Sequence, residues 1–300
     1  MGLVAVAAIG VSLVLDLLFE EFPDRVHPVA LFGRIVGRFD RPWSHPRLVG
    51  IIVALGLPLG AAVLGGVLTE LVSRHHSALG GSIAALALFA TVSLRMLLSV
   101  ATDVLSKIEM NIERARTAIR GLVGRETADL SAGELRSGVV ESIAENLADG
   151  LVAPLLAFVL GVQFTLGVGV AVTVWVKAVN TLDSMLGYRS KPVGWGSARL
   201  DDAVMWLPAR ISAVLIALAG GSPAVLARAW KWRTEPSSPN SGWPMATLAA
   251  VLDVELRKPA TYVLNPNAEL PTTEDTHRGV RVIGTAGLLS FFLAGVAAWF

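Results

Sequence analysis

Long apolar stretches alternate along the chain with shorter polar segments. The apolar stretches occupy residues 1–19, 48–72, 77–102, 151–176, 203–221 and 280–300. At 1.5 Å per helical residue, each approaches or exceeds a hydrocarbon core of about 30 Å. Glycine recurs inside them, which suits close helix packing in lipid. The pattern predicts an all-α, polytopic integral membrane helix bundle with five to seven crossings, forming a single membrane domain over residues 1–300 whose loops carry the polar motifs.

Composition supports a membrane protein and narrows its chemistry. Hydrophobic residues make up 53% of the chain and charged residues only 16%, and the mean hydropathy is +0.61. No lysine or arginine precedes the first apolar stretch, so a retained helix is expected there rather than a signal peptide. The absence of cysteine excludes disulfides, thiolate nucleophiles and cysteine-bound metals. Carboxylates, basic groups, amides and histidine must therefore supply any chemistry.

The basic residues predict which loops face the cytoplasm. Lysine and arginine gather in 20–47, 103–150, 177–202 and 222–281, and such loops tend to stay inside. An even number of crossings must then separate each pair, which one helix over 151–176 would not provide. A turn near 160–162, at Gly161, would make a re-entrant hairpin instead. A single tilted helix of 26 residues is an equally compatible interpretation.

A first polar cluster precedes the apolar stretch that begins at residue 151. Glu141, Glu145 and Asp149 are spaced four residues apart, so on a helix their carboxylates stack along one face and repel each other. One interpretation is a solvated helix end, where acids favour the N-terminus of the following helix. The other is a pocket wall neutralised by Mg²⁺, by a cationic substrate group, or by Arg116 and Arg125.

A second polar cluster follows the same apolar stretch. Ionisable residues within or beside a membrane are costly and usually face a cavity or a partner. Arginine forks bind phosphate, and neighbouring carboxylates hold Mg²⁺ that bridges phosphate oxygens. For Asp201 and Asp202, an N-terminal helix cap is the alternative. The segment contains Lys177, Asn180, Thr181, Asp183, Ser184, Arg189, Arg199, Asp201, Asp202 and Arg210.

Six segments, taken in order, resemble one known family over about three quarters of the chain. The family is that of the adenosylcobinamide-phosphate synthases of cobalamin biosynthesis, the CobD/CbiB family. The segments are DLLFEEFPDRVHPVALFGRIV (16–36), ARTAIRGLVGRET (115–127), VESIAENLADGLVAPL (140–155), KAVNTLDSMLGYR (177–189), GWGSARLDD with WLPAR (194–210) and SPNSGWPMA (238–246). The spacer 190–193 is shorter than in the family, and Met205 replaces an asparagine of the family pattern.

The resemblance implies an ATP-dependent amide ligase in the cell membrane. It would join adenosylcobyric acid to (R)-1-amino-2-propanol or its O-phosphate, giving adenosylcobinamide or its phosphate. ATP and Mg²⁺ are the implied cofactors, the corrinoid is a substrate, and no nucleic acid is expected. The multi-pass chain would place its active site towards the cytoplasm.

The resemblance also implies roles for individual residues. Glu141 or Glu145 would act as the general base that accepts a proton from the attacking amine. The metal ligands would be Asp149, Asp183, Asp201 and Asp202. Substrate and phosphate binding would involve Arg116, Arg125, Asn146, Lys177, Asn180, Tyr188, Arg189, Arg199, Arg210, His27 and Asn240. For His27, an extended entry fixed by Pro28 is the competing interpretation.

Two further interpretations stay open at this level. The chain could be a non-catalytic membrane sensor or transporter whose polar clusters form a permeation path, although their position near loop-proximal ends favours an enzyme. Several tryptophans could form an interfacial aromatic belt or cover the face of a corrin. These are Trp195, Trp206, Trp230, Trp232 and Trp243.

Overall fold

Helices build nearly all of the protein. The computed structural model describes residues 2–19, 21–23, 25–119, 127–188 and 190–300. Its α-helices are α1 (Gly2–Phe19), α2 (Pro28–Val36), α3 (Pro46–His75), α4 (Ser77–Phe89), α5 (Leu94–Met110), α6 (Ile112–Ala118), α7 (Ala132–Leu147), α8 (Ala153–Val162), α9 (Leu166–Leu186), α10 (Trp195–Val204), α11 (Trp206–Ala219), α12 (Val225–Ala229), α13 (Gly242–Leu252) and α14 (Thr273–Trp299). A π-helical turn, Ala148–Val152, joins α7 to α8.

The membrane-type helices confirm the predicted fold class. Among the described residues, six helical runs are long and apolar enough to cross a bilayer, and a seventh arises if α10 and α11 count as one span. Those two helices meet at a bend of 48°, so they form either a broken crossing or a re-entrant segment. The chain is therefore an all-α, polytopic membrane protein within the predicted range of five to seven crossings.

The chain turns between α8 and α9, so the single tilted helix over 151–176 is wrong. α8 ends at Val162, and α9 begins after Thr165, whose hydroxyl accepts a hydrogen bond from the Val168 N–H at 3.1 Å. The turn lies a few residues beyond the predicted position. The helix before the turn is also longer than the short re-entrant helix that the sequence predicted. The helical run Ala132–Val162 is itself long enough to cross a bilayer.

The chain divides into two compact units. The first comprises Met1–Ser93, Asp149–Met205 and Ser290–Phe300. Within it, α9 packs against α3, α4, α8 and α10, while α1 packs against α4. A buried apolar cluster joins α2, α3 and the end of α9, and its members are Val36, Val53, Leu182 and Leu186. This packing places the polar C-terminal half of α9 beside α10.

The second unit comprises Leu94–Ala148 and Trp206–Leu289. Here α13 packs against α7, α11 and α12, and every one of its residues from Pro244 to Leu252 is buried. Asp253 adopts a left-handed conformation that ends α13. The chain then forms an antiparallel hairpin of β1 (Leu256–Lys258) and β2 (Tyr262–Leu264), and β1 packs on α7.

Candidate functional site

Three sequence-distant polar residues meet in the first unit. The Asn180 amide nitrogen lies 3.3 Å from Asp149 Oδ2 and 3.5 Å from Asp201 Oδ1. Asn180 belongs to α9, Asp149 to the π-helical turn and Asp201 to α10. One carboxamide thus bridges two carboxylates that the sequence analysis had assigned to metal binding. We refer to Asp149 and Asp201 as the carboxylate pair and to Asn180 as its bridging amide.

A backbone irregularity helps position Asp149. Pro154 has no N–H and its ring disfavours a regular helical hydrogen bond to the carbonyl four residues earlier, which belongs to Gly150. That carbonyl instead accepts a hydrogen bond from the Ser93 N–H at 3.0 Å. Such π-helical turns widen a helix locally and are frequent at functional sites. The wider turn at Ala148–Val152 therefore has a local cause in the sequence.

Further charged groups surround the carboxylate pair. Asp201 is subject to repulsion from Asp149, Asp183 and Asp202, whereas Lys177 is attracted by Asp149 and by Glu21. In the part of the chain that the structure describes, the Lys177 ammonium makes no hydrogen bond and no ion pair within 4 Å. One Asp183 oxygen is buried without a hydrogen-bond partner among the described residues. The repulsion between acids in an apolar setting is relieved either by protonation or by a bound cation.

The depth of this group follows from the helix hairpin. Asp149 and Asn180 each lie about 14 or 15 residues from the turn between α8 and α9, or about 21–22 Å along the helix axis. With that turn at one surface of a core about 30 Å thick, the carboxylate pair lies within the opposite third. The polar groups therefore lie away from the turn, nearer to the opposite surface than to the turn.

An apolar cavity adjoins Lys177. Its volume is about 540 Å³, and its walls come from α2, α3, α4 and α9 together with Phe22. Lys177, Thr181 and Thr91 supply nearly all of its polar lining, since the other lining side chains are aliphatic, aromatic or glycine. A cavity of this kind suits the apolar part of a ligand whose polar end reaches Lys177.

The acids do not form a complete set of metal ligands by themselves. No group of three or more histidine, aspartate or glutamate side chains among the described residues is arranged to hold a metal ion. Mg²⁺ is commonly bound through one or two carboxylates, with waters and substrate phosphates completing its octahedron. Asp149 and Asp201, on either side of Asn180, fit that partial role.

The second unit holds Glu141 in a hydrogen-bonded network. Glu141 is 5% exposed, and its two oxygens accept hydrogen bonds from the Ser137 and Tyr262 hydroxyls, each at 2.7 Å. The Ser137 oxygen in turn accepts the Arg257 N–H at 2.7 Å. Glu141 therefore links α7 to the β-hairpin. The sequence analysis missed this link because Tyr262 lies 121 residues from Glu141.

The neighbouring predicted residues lie on the same helix. Glu145 is half-buried on α7, and the Asn146 amide donates to the Ser142 carbonyl at 2.9 Å. Arg116 binds the Leu130 carbonyl through two nitrogens, at 3.1 and 2.9 Å, and its third nitrogen pairs with Glu113 at 2.6 Å. In this arrangement Arg116 fixes the segment before α7. Its side-chain contacts do not include the stacked acids.

Arg210 and Asn240 come together from separate motifs. The Asn240 side-chain oxygen accepts a hydrogen bond from Arg210 Nη1 at 2.7 Å, and Asn240 is buried. The Arg210 guanidinium also lies over the rings of Trp206 and Trp243. The WLPAR and SPNSGWPMA segments thus form one polar and aromatic contact within the second unit.

The other predicted residues occupy simpler settings. His27 caps α2, because its Nδ1 accepts the Val29 N–H at 3.1 Å, and its Nε2 lies 3.6 Å from Glu21. Tyr188 is exposed, with the Lys191 ammonium 5.1 Å from its ring centre. Arg199 is exposed and lies 3.7 Å from Asp202. The predictions for Arg125 and Arg189 fall outside the described residues.

The site and fold together define a class of protein, a multi-pass helical membrane protein with a partly buried group of carboxylates, amide and lysine. The chain belongs to the CobD/CbiB family, because the model of the "CobD/Cbib protein" family matches residues 9–286. The family resemblance found in the sequence is thereby confirmed.

Relatives of similar length support the same membership. The chain is 32% identical over 299 residues to the "Probable cobalamin biosynthesis protein CobD" of Methanothrix thermoacetophila, covering 95% of this chain and 94% of that protein. The "Cobalamin biosynthesis protein CobD" of Klebsiella pneumoniae is 33% identical, with 96% of both chains covered. That of Mycobacterium tuberculosis is 36% identical, with 85% and 82% covered. No solved structure matches the chain. These names support a role in cobalamin biosynthesis.

Proposed function

We propose that this protein is an ATP-dependent amide ligase that joins adenosylcobyric acid to (R)-1-amino-2-propanol or its O-phosphate. The main observation that supports the proposal is that the Asn180 amide contacts both Asp149 and Asp201. These residues belong to three of the six segments that resemble the family. A shared contact among three separate motifs is expected when the motifs build one reaction site.

The proposed reaction forms an amide in two balanced steps. A carboxylate oxygen of adenosylcobyric acid bonds to the γ-phosphorus of ATP, and the bond to the β,γ-bridging oxygen breaks, leaving ADP and an acyl phosphate. The amine nitrogen then bonds to the acyl carbon, the carbon–oxygen bond to phosphate breaks, and a base accepts one N–H proton. Each step needs positioned reactants and neutralised phosphate charge.

The residues of the first unit suit the charged part of this chemistry. Asp149 and Asp201 would hold Mg²⁺, which neutralises phosphate charge. The Asn180 amide keeps the two carboxylates together. The Lys177 ammonium lies near Asp149 and donates no hydrogen bond to any described residue, so it could bind phosphate oxygens. The adjoining cavity would receive an apolar part of a substrate.

The general base is proposed on α7. Either Glu141 or Glu145 would serve as this base, and the Glu141 carboxylate accepts hydrogen bonds from the Ser137 and Tyr262 hydroxyls. We also assign Glu141 the role of fixing α7 against the β-hairpin. Asn146, whose amide is bound to Ser142, would hold the adjacent turn of α7 in place.

The proposed orientation places the site towards the cytoplasm, in the plasma membrane. The basic loops 20–47, 103–150, 177–202 and 222–281 require an even number of crossings between neighbours. Two helical runs now separate the second and third of these loops. A re-entrant path of α10 and α11 would keep the fourth loop on the same face.

The proposal is tested with purified, detergent-solubilised protein. The protein is incubated with adenosylcobyric acid, Mg-ATP and each amine in turn, and the amide product is measured by mass. Product should form with at least one amine, require ATP, and fall in the Asp149→Asn variant. Transport of the corrinoid into vesicles without any amide product would favour a transporter instead.

A further inference from the structure

Two arginines of the second unit converge on one tryptophan. The Arg210 guanidinium carbon lies 5.0 Å from the centre of the Trp243 ring, and that of Arg233 lies 5.3 Å from the same ring. Arg210 also covers Trp206 at 4.5 Å, and Arg233 covers Trp230 at 3.4 Å. Trp230 and Trp243 themselves pack edge to face, 5.4 Å apart. Two cations are therefore held within one aromatic group.

Backbone and amide oxygens orient both guanidinium groups. Arg210 Nη1 donates to the Trp206 carbonyl and to Asn240 Oδ1, each at 2.7 Å, and its Nη2 lies 3.4 Å from the Pro239 carbonyl. Arg233 Nη1 donates to the Trp230 carbonyl. These contacts leave the Nε of both arginines and the Arg233 Nη2 without a hydrogen bond inside the described chain. Three guanidinium nitrogens thus remain available to donate to a ligand.

No carboxylate among the described residues pairs with either of these two arginines. Across the described ranges, neither Arg210 nor Arg233 has an acidic group within 4 Å, whereas the nearby Arg228 pairs with Asp253. Both arginines are partly buried, and Arg210 is subject to repulsion from Arg233. Like charges that share one aromatic contact are stabilised when an anion binds to both of them.

Residues near the start of α13 allow this arrangement to form. Gly242 stands where a side chain would overlap the Arg233 carbonyl, so a glycine is needed for the chain around Arg233 to approach the start of α13. Asn240 orients Arg210, and the guanidinium groups of both arginines lie over the Trp243 ring. The sequence indicated the segment SPNSGWPMA only through the family resemblance. In the structure, this segment supplies Asn240, Gly242 and Trp243 to the contact with the two arginines.

We propose that Arg210 and Arg233 form a binding site for a phosphate group, with Trp206, Trp230 and Trp243 holding the two guanidinium planes. Planar guanidinium forks match phosphate oxygens in geometry, and stacking on aromatic rings fixes the forks before the anion arrives. The phosphate belongs either to a soluble phosphate ester or to an anionic lipid headgroup. Arg210 is expected from the sequence to bind substrate or phosphate, and this proposal adds Arg233 to the same site. Phosphate binding at this site can be tested whether or not the protein forms an amide.

Binding of inorganic phosphate tests the soluble source. Equilibrium dialysis of radiolabelled orthophosphate against the full-length protein in detergent should show saturable binding. Arg210→Gln and Arg233→Gln should each weaken it by about tenfold or more, as expected for the loss of a charge-assisted hydrogen bond. Arg228→Gln is the matched control, since it removes a guanidinium that is already paired with Asp253, and it should bind as the wild type does.

Anionic lipid tests the membrane source. Wild-type protein in nanodiscs of phosphatidylcholine with phosphatidic acid should retain phosphatidic acid in native mass spectrometry, and the Arg233→Gln variant should lose it. Retention of this lipid without orthophosphate binding would assign the phosphate to a lipid headgroup, and the reverse would assign it to a soluble ester.

Chemical modification of the wild-type protein tests the site without relying on variants, which could misfold. Phosphate or phosphatidic acid should protect Arg210 and Arg233, but not Arg228, from phenylglyoxal, as read by peptide mass. The proposal is overturned if neither ligand binds the wild type, if Arg228→Gln weakens binding as much as Arg233→Gln, or if neither ligand protects the two arginines.

Discussion

Asp201 and Asp202 are adjacent in sequence, yet their surroundings predict different consequences for the same substitution. Asp201 lies 3.5 Å from the Asn180 amide and is subject to repulsion from Asp149 and Asp183. Asp202 instead lies 3.7 Å from Arg199, whose side chain is 68% exposed. Replacing either aspartate by asparagine removes a charge at nearly constant volume. We expect Asp201→Asn to impair ligation far more than Asp202→Asn.

The expected magnitudes follow from the two environments. A hydrogen bond or metal contact made by a charged group contributes about 1.5–3 kcal/mol, or about 10- to 150-fold in rate. Arg199 is exposed although the Asp202 side chain is only 29% exposed, and an ion pair with such a solvent-screened arginine contributes about 0–1 kcal/mol, or at most about fivefold. Folding stability should respond in the other direction at Asp201, because the substitution relieves carboxylate repulsion. Its thermal unfolding temperature should equal or exceed that of the wild type.

The assay is amide formation measured by mass over a Mg²⁺ titration, with thermal unfolding measured in the same detergent. Asp201→Asn should lower the rate and raise the Mg²⁺ concentration needed for half the maximal rate. Asp202→Asn serves as the matched control and should leave both nearly unchanged. Equal effects of the two substitutions, or an unchanged Mg²⁺ requirement in Asp201→Asn, would refute the assignment of Asp201 to the metal.

Three further predictions concern α7 and the topology. Tyr262→Phe removes a hydroxyl that Glu141 accepts and should destabilise the protein by about 1–3 kcal/mol in thermal unfolding, whereas Tyr188→Phe, at the other, exposed tyrosine, should change little. Glu145→Gln should lower ligation by about 10² if a base is lost while insertion and unfolding temperature stay normal, and near-normal turnover would remove it from the mechanism. Single cysteines labelled from outside intact cells should react at the turn between α8 and α9 and be protected in the basic loops. The positions are Phe164 for the turn and Ser44, Ala128 and Ser190 for the loops.

Much of the fold could be predicted because apolar length alone indicates helices in lipid. The position of the turn was harder. Gly161 suggested a break in the chain, but its lack of a side chain serves close packing, since an added methyl group would overlap the backbone of Gly169. The turn itself lies at 163–165. The short β-hairpin carries no strong local pattern, so its pairing had to come from the structure.

The candidate site was predictable in its members but not in its grouping. Helical spacing placed Glu141, Glu145 and Asp149 on one face, yet Glu141 also accepts a hydrogen bond from Tyr262 of β2, and Asp149 accepts one from Asn180 of α9. Spacing within one helix contains no information about such distant contacts. Arg233 was missed for the same reason, because its significance depends on sharing Trp243 with Arg210.

The most direct test of the account follows oxygen from substrate to product in a single ligation reaction. Adenosylcobyric acid labelled with ¹⁸O in its free carboxylate is incubated with the purified protein, Mg-ATP and the amine, and the masses of the corrinoid product and of the phosphate are measured. Activation as an acyl phosphate predicts an amide product together with inorganic phosphate that carries one ¹⁸O atom per amide formed. Label in AMP, or amide formed without transfer of ¹⁸O to phosphate, would contradict the proposed mechanism, and the absence of any amide would contradict the ligase assignment itself.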